Sequence, residues 1–548
     1  MVSRTVKTLI KQWNIKIDGR GMDQVEIIDA LLESRGIKDY KKFLTPPEDA
    51  MISFDAMIGL ENGFKIVFDT VQNYGKFIVH FDVDNDGISA GTIMTRYLKN
   101  FTDNIETRIN DGKQHGVEDF DLTNVDEDTT IIVVDSLNND PEVYQRILST
   151  GAKLLVLDHH IIEERLWKEV WEPNMDKFCL ISSANDYPNP ALSGAGVVFK
   201  FCQYCDEVTW NNYADEFWDL AAAGIVGDMC DVSEQSPENR YICYKGFNNQ
   251  KNLAISKING SYGFDAKAVS FGISPLINSA CRMRENEKAM RLFLSDDVKE
   301  VNSLIKDLKK CKENQNEIVA SQMDELLKQG ESQLEQKCMY FFIDADGEIA
   351  GLMGNKLLEI YQRPLFVLRK YGDQYAGSMR AVGVDNFAQI VNDTGIGQCM
   401  GHELAAGSFI PIDKFEEFKN KIEEVLEDVE FVQHIDVDIQ LDANQITDTL
   451  IREIKNINKI SGTGFPSITV MIGEVSDFEV KSMSNGKHLK IETPDVTFIK
   501  WNFANWDMFE DVNEDTEFYG VGQLDSGFFG RTYYKQLILN DFKLESLW

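Results

Sequence analysis

The sequence predicts a multidomain α/β protein built around a parallel sheet and ending in a small β-rich domain. Three observations carry this reading. Apolar runs of strand length, Phe77–Phe81, Thr130–Val134 and Lys153–Leu157, each lead into an aspartate and then a helical pattern, the alternation that makes parallel sheets. Beyond residue 430 the chain is rich in β-branched and aromatic residues, with turn signals at Ser484-Asn-Gly486 and Asp525-Ser-Gly527. The 548 residues, 43% hydrophobic and 26% charged, supply packed cores for about three to four domains and exclude a small module or a disordered chain.

Taken in order, residues 1–60 form an N-terminal region without a readable motif, and 61–284 hold the main α/β domain. Residues 285–336 are charged and helical, with Leu304, Leu308, Leu326 and Leu327 at packing spacing, and are expected to connect two domains. A smaller α/β domain, 337–430, follows: a strand at Met339–Ile343, a helix at Gly351–Tyr361, a strand at Pro364–Leu368, and a glycine-rich stretch to Gly407. The β-rich remainder, 431–548, suits a small barrel of the OB type. There Phe503, Trp506, Phe509, Phe528, Phe529 and Tyr534 read mainly as barrel core. Arg531, Tyr533 and Lys535 alternate on one predicted strand and are placed for a surface that stacks bases and tracks phosphates.

A net charge of −35 repels nucleic acid at long range, so an anionic substrate must be handled by local features. Residues Met1 to Ile15 carry charges among their apolar positions and lack a signal-peptide core, and no stretch approaches the ~20 apolar residues of a membrane span. The expectation is a cytoplasmic protein without a membrane segment. Nine cysteines, the first at Cys179 and the last at Cys399, do not form a secreted disulfide framework. Cys202-x-x-Cys205 has no second such pair and lies in an apolar-aromatic helical pattern with Phe199, Phe201 and Tyr204, which reads as packing.

In an open α/β sheet the ligand site lies outside the carboxyl ends of the strands, where these runs deliver Asp82, Asp84 and Asp86, then Asp135, then Asp158-His159-His160. With His80 and Asp228, the set His80, Asp84, Asp86, Asp135, His159 and Asp228 offers carboxylates and imidazoles that suit Mn²⁺ or Mg²⁺ and can hold two ions. Asp82-Val-Asp-Asn-Asp-Gly87 also looks like the start of a calcium loop. A buried strand precedes it, however, and Ile93 stands where that loop needs a glutamate.

Asp82-Val-Asp-Asn-Asp-Gly-Ile-Ser-Ala90, Val133-Val-Asp135, Asp158-His-His160 and Gly227-Asp228, in this order, resemble the four motifs of the DHH phosphoesterase superfamily. Ser274-Pro-Leu-Ile-Asn-Ser-Ala-Cys-Arg282 resembles a segment of its RecJ branch, and Gly401-His-Glu-Leu-Ala-Ala-Gly407 resembles the signature of the DHH-associated domain. The resemblance implies a parallel-sheet DHH catalytic domain, a helical connector, a DHH-associated domain and an OB-like domain. It implies one metal on His80, Asp84 and Asp135 and a second on Asp86, Asp135, His159 and Asp228, with Asp135 bridging. His160 would donate to the scissile phosphate, and Asp82 and Asp158 would orient ligands. Arg282 with Asn278 on its segment, Ser378, Arg380 and a turn at Gly401-His402 match positions that bind the substrate's terminal phosphate. Arg108, Lys113 and His115-Gly116 fall where the family has a substrate-contacting arginine and a glycine turn.

The function implied is a metal-dependent 5′→3′ single-stranded DNA exonuclease that releases 5′-mononucleotides by two-metal hydrolysis, with a single-strand-binding protein or helicase as partner. Two alternatives remain. One is a DHH phosphodiesterase for short oligonucleotides or cyclic dinucleotides, which generally lacks the C-terminal barrel. The other is a non-catalytic replication or repair adaptor, which the retained ligand-type residues oppose.

Overall fold

The structure, a computed structural model, describes residues 10–260, 263–344, 349–503, 505–510, 512–529 and 532–546. The chain forms two compact units: Ile15–Lys309 with Val437–Trp548, and Met1–Asn14 with Lys310–Asp436.

The larger unit contains the parallel sheet that the apolar runs predict. After β1 (Ile10–Asp18) come β2 (Lys76–Phe81), β3 (Ile105–Ile109), β4 (Thr129–Val134), β5 (Lys153–Asp158) and β6 (Phe178–Ser182). β2 to β6 form one sheet in the order β3-β2-β4-β5-β6, with every pairing parallel. The residues of β4 are buried throughout, as are nearly all of those in β2, β5 and β6, which is why these runs read as continuous rather than alternating apolar stretches. Because β2, β4 and β5 are neighbours, the aspartates that follow or end them arrive side by side at one edge. The helix Asn85–Leu98 leaves that edge and is buried along almost its whole length. It packs this closely because Gly91 has no side chain: a Cβ there would sit 2.2 Å from the Phe81 ring.

The β-rich C-terminal region is present as an eight-stranded sheet. Its order is β1, Val432–Leu441, Val470–Val475, Thr516–Phe529, Thr532–Ser546, Thr497–Lys500, His488–Glu492, Glu479–Met483. Its first strand comes from the chain's N-terminal region, which therefore does not stand apart as 1–60. The residues after β1 are tied to the same sheet, since Arg35 forms a 2.6 Å ion pair with buried Asp438 and lies over the Phe465 ring. The surface expected around Arg531 is different in detail. Tyr533 donates to Asp448 and Lys535 to the carbonyl of Ile446, so both are spent on the helix Asp448–Asn458 and the turn before it. Arg531 lies outside the described residues, and among the described ones Phe528 and Tyr533 are exposed aromatics of that hairpin.

In the smaller unit a five-stranded sheet runs in the order Gln398–His402, Ala405–Pro411, Gln374–Arg380, Leu365–Tyr371, Met339–Phe342. The helix Ala350–Tyr361 buries Met353 and Leu357 in a core that also holds Phe341, Val367 and Leu326. Leu326 belongs to a single helix, Val298–Glu331, that spans most of the expected connector. All nine cysteines are buried and free of disulfides, Cys202 and Cys205 among them. No helix among the described residues is long and apolar enough to cross a membrane.

One buried arginine joins three parts of the larger unit. Arg240 lies over the Phe43 ring and donates to the carbonyls of Phe43, Val232 and Ile460. Arg240→Met keeps the length of the side chain but leaves those acceptors unpaired, and is expected to lower the unfolding free energy by about 3 kcal/mol in urea denaturation.

Candidate metal centre

The carboxyl edge of the parallel sheet brings together the acids and imidazoles that the sequence singles out. The donor atoms of Asp82, Asp84 and Asp135 lie within 4.8 Å of one another, as do those of Asp86, His159 and Asp228, and those of Asp135, Asp158, His159 and His160. His159 links these groups, with Nε2 3.3 Å from Asp135 and 3.7 Å from Asp228.

Each acid is placed by local backbone chemistry. Asp84 caps the helix Asn85–Leu98 by accepting from the amides of Asp86 and Gly87. Asp86 points the other way and accepts from Gly194 and Ala195, the first amides of the helix Gly194–Thr209, at 2.7 and 3.0 Å. A helix N-terminus suits an anion, so this buried carboxylate is compensated in part by its own fold. Asp135 follows β4 with φ +55, a left-handed backbone that aspartate tolerates better than most residues. Asp228 caps the C-terminus of the helix Trp218–Gly227.

Three glycines keep the space open. A Cβ on Gly224 would lie 2.2 Å from Asp86 Oδ1, one on Gly194 2.5 Å from Asp135 Oδ1, and one on Gly87 2.4 Å from the Asp82 Cβ. The site is carved from close backbone approach.

Asp158 is fully buried and its oxygens are already used. It accepts from the amides of His159, His160 and Leu137 and from His160 Nδ1 at 2.6 Å. Burial opposes its charge, but the His160 hydrogen bond and the neighbouring imidazoles prevail and hold its pKa at about 2. The same bond raises the pKa of His160. Asp82 accepts from His115 Nδ1 at 3.1 Å and from Ser136 Oγ. That bond, with the surrounding carboxylates, lifts the His115 pKa to about 9.

The remaining acids are short of positive charge. Burial and then the charge of Asp82 push Asp84 up to about 6, and burial with neighbouring carboxylates pushes Asp86 and Asp135 well above the usual range. Asp135 Oδ1 is buried and accepts no hydrogen bond. Crowded oxygen donors, one imidazole and an orphaned carboxylate oxygen are a donor set that a hard or borderline divalent cation satisfies, and the residues present fit Mn²⁺ or Mg²⁺.

His80 stands apart from these groups. It is buried in β2, edge-on to Phe120 with ring centroids 5.6 Å apart, and neither ring nitrogen has a hydrogen-bond partner. Burial lowers its pKa to about 4.

Asn278 and Arg282 are half-buried on the helix Ser274–Arg282, and no side-chain hydrogen bond ties either to the described residues. That helix is tethered to the loop that carries His115 through Cys281 Sγ to the carbonyl of Gly112, and the next helix, Asn286–Leu294, through Asn286 Nδ2 to the carbonyls of Asn110 and Gly112. In the smaller unit Arg380 donates to Ser378 Oγ at 2.6 Å and to Asn355, and lies against Gly351 and Gly354 of the helix Ala350–Tyr361. The turn expected at Gly401-His402 falls two residues later. Gly401, at φ +130, pairs with Ala406 inside a strand, and exposed His402 ends that strand.

Sequence reasoning passed over Ser136, the amides of Gly194 and Ala195, and Gly224, and met His115 only as part of a segment. The amides had a readable signal: Ser193-Gly-Ala-Gly196 is a capping serine followed by small residues, the form of an anion-binding helix start.

Comparison with known proteins agrees with this geometry. Residues 76–225 match the model of the DHH family, N-terminal domain. The chain is 26% identical over 514 residues to the Bacillus subtilis protein named "Putative SPbeta prophage-derived single-strand DNA-specific exonuclease YorK", covering 86% of this chain and 87% of the relative. It is 24% identical over 477 residues to the single-stranded-DNA-specific exonuclease RecJ of Thermus thermophilus, covering 84% and 68%. The crystal structure of that organism's RecJ in complex with Mn²⁺ superposes with a TM-score of 0.76 at 20% identity, over 97% of this chain and 79% of that one. The fold is that of RecJ, and the resemblance to RecJ-like DHH proteins extends well beyond the matched segment.

Gly224→Ala forces Asp86 off its amides while leaving every ligand-type residue in place. It is expected to weaken Mn²⁺ binding about 10- to 100-fold in calorimetric titration, with the parallel sheet intact by circular dichroism.

Proposed function

We propose that this chain is a metal-dependent, single-strand-specific DNA exonuclease that degrades from the 5′ end and releases 5′-mononucleotides by two-metal hydrolysis. The observation that carries this reading is the convergence of Asp82, Asp84, Asp86, Asp135, His159 and Asp228 at one sheet edge with an excess of buried negative charge. Relatives named as single-strand-DNA-specific exonucleases over most of the chain favour DNA over a dinucleotide as substrate.

On this reading Asp82, Asp84 and Asp135 would hold one cation and Asp86, His159 and Asp228 a second. When bound, the pair supplies Lewis acidity, an activated water and neutralisation of charge at the phosphoryl group. The chain's own groups do the rest. Asp158 fixes the tautomer and direction of His160, whose half-exposed ring is free to donate to a phosphate oxygen. His115, held charged by Asp82, adds a cation beside His160, the two rings being 5.5 Å apart. Arg282 has unspent guanidinium donors, and with Asn278 is assigned to phosphate binding. Ser378, Arg380, Gly401 and His402 are assigned to the terminal phosphate, for which a guanidinium fork and a hydroxyl are suitable donors. Nine free cysteines suit a reducing cytoplasm, where a single-strand-binding protein or helicase would present the strand.

The test is digestion of one single-stranded DNA labelled in parallel at either end, with a duplex control. The 5′-labelled strand is expected to yield labelled mononucleotide first, only with Mn²⁺ or Mg²⁺ present, and the duplex to resist. Asp135→Ala is expected to reduce the rate by at least about a thousandfold. Early release from the 3′ label would reverse the polarity, and cleavage of dinucleotides alone would replace DNA by a smaller substrate.

A further inference from the structure

Two large apolar side chains that adjoin residues of the metal centre in the sequence are largely exposed. Met229 follows Asp228 and is 73% exposed; Ile161 follows His160 and is 72% exposed. Met229 also carries a backbone penalty. The helix Trp218–Gly227 ends in a Schellman motif, with Cys230 N bonded to the carbonyl of Ile225 and Met229 N to that of Val226, and this puts Met229 at φ +56. Glycine ordinarily fills that position because a Cβ there is strained by about 1–2 kcal/mol. The two positions whose apolar contact often accompanies the motif, Cys230 and Ile225, are buried, whereas the Met229 side chain stands largely in solvent. Exposed apolar side chains also sit on left-handed backbone at Tyr74 and Trp210; what points to a ligand contact at Met229 is its place next to a candidate ligand.

The chemistry of that ligand follows from the surroundings. The centre is lined by carboxylates and imidazoles, which address a phosphate and its cations. A thioether and a branched alkyl group gain nothing from a phosphate; they gain by covering the apolar faces of a sugar or a base. Resting on the nuclease reading above, we propose that Met229 and Ile161 grip the nucleoside of the nucleotide being cleaved, so that the centre favours nucleotide diesters over diesters that lack a nucleoside.

The test uses Mn²⁺-loaded full-length protein, wild type against Met229→Gly, Ile161→Thr and the double variant, on thymidine 5′-(p-nitrophenyl) phosphate and on methyl p-nitrophenyl phosphate. The double variant is expected to raise KM for the thymidine ester about tenfold with kcat within about twofold, and to change kcat/KM for the methyl ester less than about twofold. Met229→Gly is expected to melt no lower than wild type, since glycine relieves the strain. An equal fall on both esters would mean that Met229 acts by placing Asp228, and an unchanged KM for the thymidine ester would mean no nucleoside contact; either overturns the proposal while the nuclease reading stands. A wild-type protein that digests single-stranded DNA yet is inert on both esters overturns this proposal while the nuclease reading stands, and one inert on the DNA as well removes both.

Discussion

Burying several carboxylates side by side is the constraint on which the rest of this structure depends. Each is driven toward its neutral form by desolvation and by its neighbours, and the fold answers with directed donors rather than with lysines or arginines. Asp86 receives the first amides of a helix, Asp84 caps the helix it begins, Asp158 receives amides and an imidazole, and Asp82 receives His115 and Ser136. Among these acids Asp135 alone keeps a buried oxygen that accepts no hydrogen bond, with only the His159 imidazole 3.3 Å away. Internal compensation stops one group short of completion, at the position best placed to be shared between the two sets of ligands.

This economy of positive charge matters in a chain whose net charge is −35. A lysine beside these acids would neutralise them permanently and leave a divalent cation nothing to do. Helix termini and imidazoles supply partial or conditional charge, which lowers the cost of burial and still leaves the carboxylates available as ligands. Arg282 ends the helix Ser274–Arg282, and Arg380 ends the strand Gln374–Arg380 of the smaller unit, so each is carried on a regular element.

How much could be read in the sequence follows from the range of each interaction. The strands and the acids that end them were legible, because an apolar run followed by aspartate and a helical pattern is a local signal. That β2, β4 and β5 are neighbours follows from the preference of parallel units for adjacency. Pairings across long stretches of sequence were not legible. Asp86 meets amides more than a hundred residues away, Gly224 matters only through the carboxylate it makes room for, and β1 completes a sheet whose other strands all lie beyond residue 430. The C-terminal aromatics show the same limit: alternation placed Tyr533 and Lys535 toward a surface, but not the partners at Asp448 and Ile446 that occupy them.

The most direct test of the central claim is thermal unfolding of the wild type and Asp135→Asn, each in EDTA and in excess Mn²⁺. Asparagine keeps the shape and tolerates the left-handed backbone at 135 but removes one buried charge. If the cluster is a charge deficit built for cations, the variant melts higher than wild type in EDTA, and most of the upward shift that Mn²⁺ gives the wild type disappears. A variant that melts lower in EDTA and gains as much from Mn²⁺ as the wild type would contradict the account.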